Sequence, residues 1–214
     1  MEAAPAIPTH DRILRVAKTL FATRGFEHTS TSSIARQAGT SESQLMKHFG
    51  SKAGLLEAIF LEAWKTITQQ ARAAIANITS PVEKVQMIAG TALMALESDP
   101  EMKQLLLLEA RRIRKEGGTV SLSEGFLRFV ELIDGVLNQM RDMQLLRPTL
   151  SPQAIRSAVM GMLEGLLRDR YLAEHSGFPA DYDARQMSEI LGLTLASFMA
   201  PTPSLTPEHD RGNT

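Results

Sequence analysis

The stretch from Thr29 to Lys52, TSTSSIARQAGTSESQLMKHFGSK, constrains the fold more than any other part of the chain. It holds two short helical patterns separated by one glycine and followed by a basic helix start. Thr31 or Ser32 can cap the first pattern. Ile34, Ala35 and Ala38 then fall on one stripe, which predicts a helix over about 32–38. Gly39 supplies the left-handed residue for a sharp turn. Ser41 caps the second helix with Gln44 at the capping-box position, and Leu45 and Phe49 make its inward i, i+4 pair. Ser43, Gln44, Lys47 and His48 are left facing outward. This is the layout of a helix-turn-helix, which lays its second helix in the major groove of DNA. A plain helical hairpin gives a similar pattern in this window, so the flanks decide.

Before the unit, Ile13, Leu14, Ala17, Leu20 and Phe21 form one apolar stripe, and Gly25 follows as a C-cap. After it, Gly50-Ser51-Lys52-Ala53-Gly54-Leu55-Leu56 opens another helix. With ILRVAKTLFATRGF, TSTSSIARQAG and SESQLMKHFGSKAGLL in this order and spacing, residues 13–56 resemble the N-terminal domain of the tetracycline-repressor (TetR) family of regulators. The resemblance covers about a fifth of the chain; the rest matches only in being helical and of suitable length. Glu42 stands where the family commonly has lysine, and Met46 and His48 stand where it commonly has tyrosine. Glu42 suits a helix N-terminus but repels a nearby phosphate. Two tyrosine hydroxyls that would touch phosphate are missing, although His48 can still donate.

Charge is distributed in keeping with a DNA-binding head. The net charge of the chain is −1, yet residues 1–52 carry seven Lys/Arg against four Asp/Glu, and the remainder 16 against 20. Only the head needs to face phosphates. With 43% hydrophobic residues in 214, the chain can bury a small domain and a larger one. No apolar run is long enough for a membrane span, and MEAAPAIP lacks the basic start and apolar core of a secretion signal. Zero cysteines exclude disulfides and thiolate metal sites. A cytoplasmic protein is the expectation.

Caps punctuate the body. A long helix from Ser51 is expected to about Asn77, and Ser80-Pro81-Val82-Glu83 starts one that runs to about Glu97. Ser98-Asp99-Pro100-Glu101 opens another to about Lys115, stopped by Gly117-Gly118. Further helices are expected from Ser121-Leu122-Ser123-Glu124 to near Gln144, from Ser151-Pro152-Gln153 to about His175, and from Asp181-Tyr182-Asp183 to about Met199. The fold class is therefore all-α with no strand. A three-helix helix-turn-helix domain at 9–52 is followed by a six-helix effector-binding and dimerisation domain at 53–200. Residues 1–8 and the proline-rich tail 201–214 are expected to be disordered.

Two further sets of residues attract attention. Gly161 and Gly165, and Gly192 and Ala196, sit four apart in the last two helices. Glycine within a helix costs about 1 kcal/mol against alanine, so close backbone approach is a natural compensation, within the chain or between two copies. In the resembled family these two helices form the dimer interface, and a two-fold dimer would read a palindrome in successive major grooves. Phe60, Trp64, Met87, Met94, Phe126, Phe129 and Met140 could line an adjustable apolar pocket or be plain core. The resemblance implies a small-molecule site here, whose occupation moves the long fourth helix and misaligns the two heads. The cluster Glu109-Ala110-Arg111-Arg112-Ile113-Arg114-Lys115 could steer an anion, or be a solvated helix end.

Catalytic constellations are missing from the sequence. His10, His28, His48, His175 and His209 stand at no metal-binding spacing, and no phosphate loop or nucleophile elbow occurs. Asp181 and Asp183 fall where helix capping explains them. The expectation is a non-enzyme without cofactor or metal: a homodimeric repressor of double-stranded DNA relieved by an apolar or amphipathic effector. Ser43 and Gln44 are the candidates for base edges, and Thr31, Ser32, Lys47, His48 and Lys52 for phosphates. The rival is a ligand-independent DNA-binding adaptor whose body only dimerises or recruits a protein.

Overall fold

In a computed structural model, residues 8–108, 114–116, 119–121 and 123–201 are described. Nine α-helices run in chain order among them. They are α1 (Thr9–Arg24), α2 (Thr31–Gln37), α3 (Glu42–Phe49), α4 (Lys52–Ile75), α5 (Pro81–Glu97), α6 (Pro100–Leu108), α7 (Glu124–Asp142), α8 (Pro152–Ser176) and α9 (Ala184–Ser197). The expected disordered ends lie outside the described residues, apart from Pro8 and Pro201.

Most helix starts follow the predicted chemistry. Ser41, Ser51, Ser80 and Ser151 each accept the backbone N–H three residues on, and Asp183 forms a full capping box with Gln186. Three caps differ from expectation: Ser123 stands at the N-cap of α7, but its hydroxyl makes no capping bond. Ser30, not Thr31 or Ser32, caps α2, so that helix begins a residue earlier. Asp99, not Ser98, accepts the Met102 N–H at the start of α6, because Pro100 takes the first helical position and needs no donor.

The segment after α6 departs from the all-helical expectation. Residues 114–116 form a strand (β1, Arg114–Glu116) paired antiparallel with β2 (Thr119–Ser121), Glu116 opposite Thr119. Gly117-Gly118, read above as a helix stop, is also a sequence suited to a two-residue hairpin connection. Of the basic stretch 109–115, residues 109–113 lie outside the described residues.

Two large cores organise the chain. The first gathers Ile13, Ala17, Leu20 and Phe21 of α1, Ile34 and Ala35 of α2 and Leu45 of α3 around Leu55, Leu56, Ile59 and Phe60 of α4. Met102 and Leu105 of α6 close it, so the head is anchored to the body through α4 and α6 together. Lys18 reinforces this with Asp99 at 2.7 Å, and the Gln104 amide donates to the Ala22 carbonyl at 2.7 Å. The second core joins α4, α5, α7, α8 and α9 around Ile88, Phe129, Leu137, Met140 and Ile155. Trp64 packs against both cores. Below them, Arg147 N–H and Ala200 N–H donate to the Phe198 and Leu145 carbonyls, tying the α7–α8 connection to the end of α9.

Candidate functional site

Helix α3 stands out from the head. Leu45 is fully buried and Phe49 half-buried against the first core, while Glu42, Ser43, Gln44, Met46, Lys47 and His48 are exposed. The inward pair and the outward face therefore divide as their spacing predicts. Lys47 makes no ion pair or hydrogen bond among the described residues, so its ammonium is free for a phosphate. His48 lies beside His10 of α1, ring centroids 5.9 Å apart. Ser43 Oγ lies 3.1 Å from the capping hydroxyl of Ser41.

Three predicted contact residues are engaged in ways the sequence did not disclose. Gln44 does not complete a capping box; its Oε1 accepts from the Thr40 hydroxyl, leaving the amide N–H groups directed elsewhere. Thr31 donates its single hydroxyl hydrogen to Glu42, which links the start of α2 to the start of α3. The Lys52 ammonium donates to the Phe26 carbonyl at 3.0 Å and the Glu27 carbonyl at 3.5 Å, and lies 4.5 Å from the Phe26 ring centroid. It clasps the α1–α2 loop to α4 instead of standing free. Ser32 is exposed beside Ser30, hydroxyl oxygens 3.1 Å apart.

A cavity of about 590 Å³ opens where head and body meet. Of the seven expected lining residues it gathers four: Phe60, Trp64, Phe126 and Phe129. The Trp64 ring centroid is 5.2 Å from that of Phe126 and 5.0 Å from that of Phe129. The three methionines are elsewhere. On α5 the lining positions are Ala89, Ala92, Leu93 and Leu96, so Met87, six residues before Leu93, points away and is 43% exposed. Met94 is one step round the helix from Leu93, faces an open groove between α1, α4 and α5, and is 72% exposed. Met140 lies two turns beyond the lining residue Ile133 and is buried in the second core.

Sequence reasoning missed Lys103, Leu106 and Leu107 of α6, and Ser123 at the start of α7, which also line the cavity. A signal existed. The run LLLL after Gln104 leaves α6 no polar face in its last turn, which marks a helix covered all round. Part of the wall is shared with the head. Leu56 and Phe60 belong to both the first core and the cavity, and Phe26 of the α1–α2 loop lines it too.

On α8 and α9 the small residues face open space. A Cβ built at Gly161 or Gly192 would meet nothing within 4 Å, and one at Gly165 only the far end of Arg168. Among the described residues no neighbour therefore accounts for them. Beside them α9 exposes Leu193 at 67% and Ile190 at 36%, an apolar face the sequence reading had overlooked. Ala196 is also exposed. Among the described residues no cluster of His, Cys, Asp or Glu could hold a metal, and no helix is long and apolar enough to cross a membrane.

Comparison with known proteins agrees with this arrangement. Residues 13–59, covering α1 to the first part of α4, match the family described as bacterial regulatory proteins, tetR family. The HTH-type transcriptional regulator UidR of Escherichia coli (strain K12) is 25% identical over 171 residues, 77% of this chain and 82% of that protein. The nucleoid occlusion factor SlmA of Marinomonas sp. (strain MWYL1) is 24% identical over 152 residues, 71% of this chain and 77% of that one. In fold, the chain is similar to the transcriptional regulator FadR from Bacillus subtilis in complex with stearoyl-CoA, with a TM-score of 0.77. That match covers 88% of this chain and 98% of FadR at 19% identity. The head at residues 13–59 is thus that of the tetR family of bacterial regulatory proteins, and the chain as a whole is similar in sequence and helical plan to the family's DNA-binding transcriptional regulators.

Proposed function

We propose that the protein is a homodimeric, cytoplasmic repressor that holds a palindromic operator through α3 and releases it when a small apolar or amphipathic molecule fills the cavity. The observation that carries this reading is the shared wall. Leu56 and Phe60 are packed at once into the head's core and the cavity lining, so a ligand that displaces them displaces the seat of α1 and α3. A ligand acts on an equilibrium only through contacts that differ between two states, and this wall supplies them. In FadR the bound molecule is stearoyl-CoA, an amphipathic compound, which supports the class of effector proposed.

Ser43 and Gln44 read base edges in this scheme, with Ser32, Lys47 and His48 on phosphates. Thr31 reaches a phosphate only by giving up Glu42, and Lys52 contributes by holding the α1–α2 loop in place. The division of the chain at 52–53 is a convenient boundary between the reading and sensing parts, although both share the first core. Two copies meet through α8 and α9, about the open glycines and Leu193.

The rival reading, an adaptor without effector, draws on the similarity to a nucleoid occlusion factor. The apolar cavity at the joint favours the repressor. Selection of duplexes from a random library, followed by titration of the complex with candidate amphiphiles, tests it. Recovery of a palindrome, its release by a ligand and a change in Trp64 emission are expected. A palindrome bound unchanged while ligands occupy the cavity would favour the adaptor.

A further inference from the structure

The cavity is mostly apolar, yet two of its polar side chains are short of partners. Lys103 is only 6% exposed and lines the cavity. Its ammonium lies 3.5 Å from Glu97 Oε1, its one ionic partner among the described residues. That same oxygen is 3.3 Å from the Arg170 guanidinium and accepts no hydrogen bond from either cation. Glu97 is thus shared between Lys103 and Arg170, and Arg170 also lies 3.9 Å from Glu174 Oε1. Lys103 has Glu97 alone, at 3.5 Å and without a hydrogen bond, so its three N–H donors are left for a further group. Burying an ammonium without hydrogen bonds is costly unless another group completes its shell.

Ser123 tells a similar story. It occupies the N-cap of α7, but its hydroxyl makes no capping bond, unlike Ser30, Ser41, Ser51, Ser80 and Ser151 at their helices. The oxygen is buried and has no hydrogen-bond partner, and the residue lines the same cavity as Lys103. The uncapped amides behind it also favour negative charge.

We propose that the effector carries a carboxylate seated by Lys103 and Ser123, with an apolar chain lying among Phe60, Trp64, Phe126 and Phe129. This rests on the reading of the cavity as an effector site. Glu57 and Glu164 line the cavity as well, and would suit a cation. Both are half-buried, so water solvates them, and Glu164 is already engaged with another group. Lys103 is buried and has only a shared carboxylate that takes no hydrogen bond from it, which sets the preference for a negative head.

Trp64, the chain's single tryptophan, reports on binding in the full-length protein. Decanoate, decanol and decylamine share one tail and differ in head. The expected order is decanoate tightest, by about ten-fold over decanol, with decylamine weakest. Lys103→Met is expected to bring decanoate and decanol within two-fold of each other while decanol binding persists. Ser123→Ala is expected to reduce the acid's advantage several-fold. Should Lys103→Met fail to fold by circular dichroism, the order of the three ligands on the unaltered protein and on Ser123→Ala decides. Decylamine binding more tightly than decanoate overturns the proposal, as does an undiminished preference for decanoate in a folded Lys103→Met. Decanol binding without preference for the acid overturns the carboxylate alone; failure of all three to bind removes the apolar effector site as well.

Discussion

Glu42 is the residue where the head works against itself. Its carboxylate lies at the N-terminus of α3, where the helix dipole favours it, and it takes the Thr31 hydroxyl hydrogen. Near DNA the same charge repels phosphate. Glu42→Gln should therefore tighten binding to all duplexes several-fold and steepen the salt dependence, read from titrations at two or more salt concentrations. Gln44→Ala should behave differently, costing about 1–3 kcal/mol on the operator and relaxing base preference at one position. If it weakens every duplex equally, Gln44 touches no base. The exposure of these side chains was legible in the sequence, because a buried i, i+4 pair leaves the opposite face of a short helix to solvent. Their tethers were not. The Thr31–Glu42 and Lys52–Phe26 contacts join residues 11 and 26 positions apart, and only the packed head brings them together.

At the scale of the helices, two glycines show where one element presses on another. A Cβ at Gly54 would stand 2.2 Å from the Phe49 carbonyl oxygen, so the first turn of α4 is locked against the last turn of α3. At Gly125 it would stand 2.9 Å from Trp64 Cβ and 3.0 Å from the Leu61 carbonyl, locking α7 onto α4 beside the cavity. In a free helix, alanine would stabilise either site by about 1 kcal/mol. Here the backbone cannot yield, and each substitution should instead destabilise by about 1–3 kcal/mol in denaturant unfolding. Gly161→Ala, in open space on α8, should stabilise the isolated chain. Sequence spacing could mark all of these as helical glycines but could not sort them, since the neighbour across the contact is set by tertiary packing. Helix starts were more readable, being local chemistry: a serine or aspartate three residues before a free N–H. The strand pair 114–116 and 119–121 was missed because a Gly-Gly sequence suits a helix stop and a tight turn equally well.

For the whole molecule, the decisive quantity is whether two heads are tied together. A single α3 reaches only one half-site, and linking two copies converts the second binding step into an intramolecular one, worth about 10²- to 10⁴-fold. In the proposed dimer that link runs through the open glycines of α8 and α9 and the exposed Leu193. Leu193→Glu alters a side chain that is 67% exposed, so its unfolding midpoint should match the unaltered protein at low concentration. Its mass by sedimentation should nevertheless fall to that of one chain, and its affinity for the palindrome should fall to that for an isolated half-site. A dimer that survives Leu193→Glu with operator affinity intact would move the interface off α9. The unfilled space beside Gly161 and Gly192 would then need another occupant.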